Sequence, residues 1–339
     1  MSFIKSLTLT TTLLSTITFI AQAELNVVTS VKPLHSLVTA VMEGIGTPNL
    51  IVKGAASPHT YAMKPSQAKQ IENADLVFWM GHKLESFLEK PIEALASKAV
   101  IVELMDSQGL KKLKMREGGG FDEHDHDEDD HDEDSHDEDG HDKYEDHSEE
   151  AQENHSEESH DEHEHSEFDV HVWLDPENAK VMANEIKEAL KKVDPRNAKK
   201  YEINTIKVLK KLNRLVAEVS AKLASIKGKG FVVFHDAYQY FEERFGLTAV
   251  GSITVSPEVV PGAKRIRELK EKINELNAHC VFSEPQFQPK IVFTVVEGTQ
   301  ANTGVLDPLG ASINNGPELY FTLIRDMANS LQECLLKKD

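Results

Sequence analysis

The sequence predicts an α/β protein of two lobes, each a parallel sheet flanked by helices, joined by one long linking helix. Three observations lead there. Short runs rich in valine and isoleucine, apolar on both faces, alternate with helical-period segments, as parallel strands covered by helices do. The alternation occurs twice, once over residues 25–104 and again from residue 231. Between the two series, residues 196–227 contain neither Gly nor Pro, with Asp194 and Pro195 as a start signal and Gly228 as a stop. Some 30 residues of helix span about 45 Å, enough to bridge two lobes.

In the first series, residues 25–30 (LNVVTS) read as a strand and 32–44 as a helix. Residues 50–52 (LIV) read as a strand and 66–74 as a helix; 75–80 (DLVFWM) as a strand, 84–95 as a helix and 99–104 (AVIVEL) as a strand. Residues 170–173 (VHVW) alternate like a short strand, and 176–193 have helical period behind a proline. The second series runs strand 231–234, helix 237–245, strand 247–253, helix 262–276, strand 280–284, helix 289–298 and strand 304–307. A last helix starts near Pro317. The expected organisation is a leader over 1–23, an N-terminal lobe over 24–174, helices over 175–227 and a C-terminal lobe over 228–339. Ligands of such sheets bind beyond the strand C-termini, here in the cleft between lobes.

The first 23 residues have Lys5, an apolar and hydroxyl-rich run to Ile20, and Ala21-Gln22-Ala23, the pattern of a secretory signal peptide. No cysteine follows that motif and no later apolar run is long enough to span a membrane, so the expectation is an exported, periplasmic, unanchored monomer. The two cysteines, Cys280 and Cys334, then sit in an oxidising compartment, and a disulfide between them is expected over two free thiols or half a metal site.

Net charge is −20, but residues 122–167 hold 25 acids against the single base Lys143, so the remainder carries about +4. No basic stripe with aromatics remains, which removes support for nucleic-acid binding. The acidic stretch, from about residue 118 to 167, has almost no apolar residues and reads as an insertion unable to offset its own ordering entropy. It holds ten of the sixteen histidines. Interleaved with carboxylates, His124, His126, His131, His136 and His141 suit weak, exchangeable zinc sites accessory to a site elsewhere, the alternative being a solvated, self-repelling tether.

Six histidines belong to the ordered body, and three fall where strands end: His59 in GAASPHTY, His171 in DVHVWLDP and His235 in VVFHDAY. Imidazole is the preferred neutral ligand of zinc, and three nitrogens plus one oxygen complete its tetrahedron. His35, His82 and His279 read as structural or surface residues; Asp236, Tyr238, Tyr240 and Phe241 read as the wall of the site.

GAASPHTYAMKPSQAKQIENADLVFWMG, HVWLDPENA, KGKGFVVFHDAYQYFEERFGLTAVG, PGAKRI, CVFSEPQFQP and GVLDPLG occur in this order, with a His/Asp/Glu-rich stretch before the second motif. Over nearly the whole mature chain the sequence thereby resembles the periplasmic zinc-binding receptors of ABC-type importers, the ZnuA type. That resemblance implies a metal site in the interlobe cleft with His59 and His171 from one lobe and His235 from the other. It places a family carboxylate on Asp307, which stands evenly as fourth ligand or as loop cap. Pro58, before His59, cannot supply the glutamate that serves in some relatives. It further implies a non-enzymatic receptor that takes up Zn2+ and delivers it to a membrane permease powered by an ATPase. Three histidines with an open position would also suit a catalytic zinc, but no HExxH is present. A manganese receptor and a zinc-buffering adhesin of the same fold are the nearer rivals.

Overall fold

The computed structural model describes residues 25–116, 168–254, 257, 261–275 and 278–337. The expected signal peptide and the expected accessory histidines His124, His126, His131, His136 and His141 lie outside these residues.

In the first half, β1 (Val27–Thr29), β2 (Asn49–Leu50), β3 (Leu76–Trp79) and β4 (Val100–Glu103) form a parallel sheet ordered β2-β1-β3-β4. The crossovers carry α1 (Lys32–Val41), α2 (Pro65–Glu72) and α3 (Ser86–Leu95). Ladder bonds run on past β2, from Ile51 N to Thr29 O (3.0 Å) and from Val52 N to Ser30 O (2.8 Å), so the strand read at 50–52 extends this edge. After α4 (Pro176–Val193) and α5 (Ala198–Leu223), the second half repeats the plan. Strands β5 (Phe231–His235), β6 (Ala249–Thr254), β7 (Cys280–Ser283) and β8 (Asn302–Val305) are parallel and ordered β6-β5-β7-β8. They alternate with α6 (Gln239–Phe245), α7 (Ala263–Glu275) and α8 (Lys290–Val296), and α9 (Leu319–Leu335) closes the chain. Among the described residues no helix is long and apolar enough to cross a membrane.

Two local expectations are corrected. Residues 170–173 are not a strand: Val172–Leu174 form a 3-10 turn. A half-buried strand would alternate burial, whereas Val172, Trp173 and Leu174 are all fully buried. Asp175 then caps α4 by accepting from Glu177 N (2.8 Å), which fixes a change of direction where the alternation suggested extension. The long helix starts at Ala198 rather than at Pro195, because Pro195–Asn197 is a separate 3-10 turn. Asp194 faces back into that junction, accepting from Asn197 Nδ2 (2.6 Å) and Tyr201 Oη (3.0 Å). The 26-residue helix that remains spans about 39 Å.

Its buried stripe, Tyr201, Thr205, Val208, Leu212, Leu215, Val219 and Leu223, recurs every three to four residues. That stripe packs on α1 and α4 and also on α9, so one helix serves both sheets. The principal apolar core accordingly runs from Val27 through Leu335 without a break between lobes, while a second cluster around Val232, Ile253 and Val292 lies within the second half alone. Polar ties reinforce the shared core. The ammonium of Lys32, at the start of α1, donates to Gly310 O, Ala311 O (3.0 Å) and Ile313 O (2.7 Å), and Tyr320 Oη on α9 donates to Trp173 O (2.6 Å). Cys280 and Cys334 are joined by a disulfide across 54 residues, which pins α9 to the first residue of β7.

Candidate metal centre

Each of the three histidines reaches the cleft by a different local device, and only His235 ends a strand. His59 sits in the 3-10 turn Pro58–Thr60 beyond β2, started by extended Ser57 and a proline whose φ already suits the turn. His171 is the residue before the 3-10 turn Val172–Leu174. His235 is the last residue of β5. Parallel sheets of this order reverse their winding beside the first strand, and in the second sheet that switch lies between β5 and β7, where His235 ends.

The three rings converge. Nε2 of His171 lies 3.4 Å from Nε2 of His59 and 3.4 Å from Nε2 of His235, and one nitrogen of each is within 4.8 Å of the other two. Two nitrogens bound to a tetrahedral zinc at 2.0–2.1 Å stand about 3.3–3.4 Å apart. Both spacings therefore match a shared ion.

Carboxylates behind two of the rings strengthen this reading. His171 Nδ1 is 2.6 Å from Asp169 Oδ1, and His235 Nδ1 is 2.7 Å from Glu284 Oε1. A carboxylate at Nδ1 places the ring proton there and leaves Nε2 as a lone pair. The Nε2 atoms of His171 and His235 thus face each other as acceptors with no proton to share, an arrangement that a cation between them relieves. Asp169 and Glu284 are themselves buried, so their charge acts in a weakly screened site and offsets part of an ion's +2.

Burial and neighbouring charge move two of the rings in opposite directions, and a proton on His235 competes with an ion. Burial, then the neighbouring His171 and His235, hold His59 down to about 2, so it stays neutral and able to ligate at any physiological pH. For His235 burial also opposes the charged form, but Glu284, with Asp169 and Asp236, outweighs it and raises the pKa. Ser57, Trp173, Gln286, Phe287 and Leu309 line the cavity around the three rings.

The other candidates fall elsewhere. Asp307 lies outside the three-nitrogen group. Its carboxylate accepts from the backbone N–H groups of Leu309 (3.1 Å), Gly310 (2.9 Å) and Ala311 (2.5 Å) and from Gln286 Nε2 (2.9 Å), the partners of a loop cap. His35 is buried on α1 with Nε2 3.1 Å from Pro48 O, His82 lies 3.8 Å from Glu103, and His279 is exposed. Asp236 pairs with Arg116 rather than facing the rings, and Tyr240 Oη donates to Asp169 O (2.8 Å).

Asp169 and Glu284 were not singled out by sequence reasoning. A signal existed for each: Asp169 precedes His171 by two residues, within reach of its Nδ1. For Glu284, β5 and β7 pair Phe231 with Cys280, and continuing that register four residues sets His235 opposite Glu284. The register is itself a tertiary fact, so the second signal could be read only after the sheet order was known.

Comparison with known proteins agrees with the geometry. Residues 27–334 match the profile of the family described as ZnuA, zinc-uptake complex component A periplasmic. The high-affinity zinc uptake system protein ZnuA of Brucella suis biovar 1 (strain 1330) is 58% identical over 311 residues, 92% of each chain. Its namesake from Haemophilus influenzae (strain ATCC 51907 / DSM 11121 / KW20 / Rd) is 40% identical over 321 residues, 93% of this chain and 94% of that one. Among solved structures, a crystal structure of ZnuA superposes with a TM-score of 0.69 at 22% identity, covering 91% of this chain and all of the other, which supports the shared fold.

Proposed function

Because the chain belongs to the ZnuA family of periplasmic zinc-uptake components, we propose that it captures Zn2+ in the periplasm with His59, His171 and His235 and delivers it to an ABC permease for high-affinity uptake. The observation that carries this reading is the convergence of three imidazole nitrogens with two 3.4 Å spacings. Neutral, borderline-soft nitrogen donors favour zinc over calcium, magnesium and manganese, whose sites are built mainly from oxygen. The fourth position is open to water or to Asp307, whose Oδ1 caps its own loop while Oδ2 accepts from Ala311 N. The ordered ligands belong to two lobes, 24–174 and 228–339, held by the helices between them, so a small relative motion at the permease weakens all bonds together. The chain works as a receptor, and zinc is its cargo.

Residues 1–23 direct export, and the insertion with His124, His126, His131, His136 and His141 gathers ions near the cleft through its negative field. The decisive experiment is metal analysis of the purified mature protein followed by competition titration against a chromophoric zinc chelator. One tightly held zinc per chain is expected. A protein that keeps no zinc against the chelator, or prefers manganese, overturns the reading.

A further inference from the structure

Helix α6 belongs to the second lobe, yet its polar side chains reach the first lobe and the cap of α4. Glu242 accepts from Arg116 Nη1 (3.0 Å) and Nη2 (2.9 Å), Glu243 pairs with Lys111, and Arg244 donates to both oxygens of Asp175 (2.6 and 2.7 Å). Tyr240 Oη donates to Asp169 O and accepts from Leu113 N (2.9 Å). Gln239, nearly buried, donates through Nε2 to Asp169 Oδ2 (2.8 Å) and Lys114 O (3.1 Å). The grip falls on residues 111–116 and 169–175, two segments that also bond to each other from Asp169 N to Leu113 O (2.9 Å).

The contact at Asp169 differs in kind from the rest. Its Oδ1 takes the backbone N–H (2.9 Å) and the ring Nδ1 of His171, so its orientation sets that of the imidazole. Its Oδ2 is held by Gln239, which starts α6 four residues beyond His235. Orientation of a ligating imidazole depends on such partners, and losing one typically costs 10–100-fold in metal affinity.

We propose that Gln239 is a positioning residue for zinc binding: a side chain of one lobe that fixes, through Asp169, the ring of a histidine on the other. The inference rests on the zinc-receptor reading above. One short stretch, 235–239, then sets two of the three ligands, His235 directly and His171 by way of Gln239 and Asp169. His59, whose turn has no part in this arrangement, closes the set.

The test uses the full mature chain, zinc ion and the same competing chelator. Gln239→Met is expected to lower zinc affinity about tenfold or more. Arg244→Met cuts a different tie of the same helix and is expected to leave zinc affinity unchanged while lowering the unfolding midpoint of the metal-free protein. In an Asp169→Asn background, Gln239→Met should add little further loss, because both changes act on one relay. Near-UV circular dichroism of each metal-free variant checks that it folds. Unchanged affinity in Gln239→Met overturns the proposal, and so does a loss fully additive with Asp169→Asn or an equal loss in Arg244→Met, which would make the effect one of general lobe docking. If the wild-type chain binds no zinc tightly, the receptor reading fails instead, and the two failures are separately recognisable.

Discussion

Glu284 Oε1 lies 2.7 Å from Nδ1 of His235, where His235 ends β5 and Glu284 directly follows the last residue of the neighbouring parallel strand β7. The carboxylate fixes which nitrogen of the ring carries its proton, and the sheet fixes the carboxylate. His235 is therefore a donor aimed before any ion arrives, and preorganisation of this kind is what raises affinity in a small site.

His235→Ala should abolish tight zinc binding while leaving the fold intact, because two nitrogens on one lobe cannot hold an ion against a competing chelator. Competition titration checks the first part and near-UV circular dichroism the second. Retention of wild-type affinity would remove His235 from the site.

Deleting residues 122–167 should leave one tight zinc and remove only weaker equivalents. His59, His171 and His235 are positioned by turns and a strand of the fold, and three prepositioned nitrogens suffice for one tight ion. Calorimetry with zinc should show a smaller stoichiometry with the first step unchanged. Disappearance of that step would make the insertion the primary site.

Glu85 gives a pH prediction for stability. It is fully buried where β3 turns toward α3, accepting from Met80 N and Gly81 N at 3.0 Å each. Burial raises its pKa to about 8, against the opposing pull of the Ser30 hydroxyl and those two N–H groups. A carboxyl raised in the folded state holds its proton there after the unfolded chain has lost it. Its contribution to stability therefore declines from near pH 4.5 and levels off above about pH 8. Glu85→Gln should flatten this slope, a relative gain on the order of a few kcal/mol at pH 8 compared with pH 5. Urea unfolding of both proteins across that range decides it, and identical slopes would count against a buried proton on Glu85.

Replacing Cys280 and Cys334 together by alanine should lower stability by about 4 kcal/mol, the value that loop entropy gives for a closure of this length. Zinc affinity should hold, because the bridge sits at the first residue of β7 and Glu284 lies just past the other end. Denaturant midpoints and zinc competition report the two quantities separately. A large loss of affinity would show that strain travels along β7 to His235.

The sequence alone determined the periodic elements and the residue types of the site. Valine-rich runs ahead of helical segments favour parallel strands with crossover helices, and three imidazoles beside such runs in both halves pointed to metal chemistry. Asp194 and Pro195 looked like a helix start, and Val-His-Val-Trp looked like a strand, because local pattern does not register burial on every side or a cap turned backward. Asp307 carried a family expectation, yet its oxygens accept from Leu309, Gly310, Ala311 and Gln286, a fact of loop geometry invisible along the chain. Only the tertiary structure set Glu284 behind His235 and Gln239 behind Asp169, since those partners lie 49 and 70 residues apart in sequence. Propensity and period are properties of neighbouring residues. Sheet order, register and the packing of α6 across the lobes arise from burial of the whole chain at once, and they decide which carboxylate aims which ring.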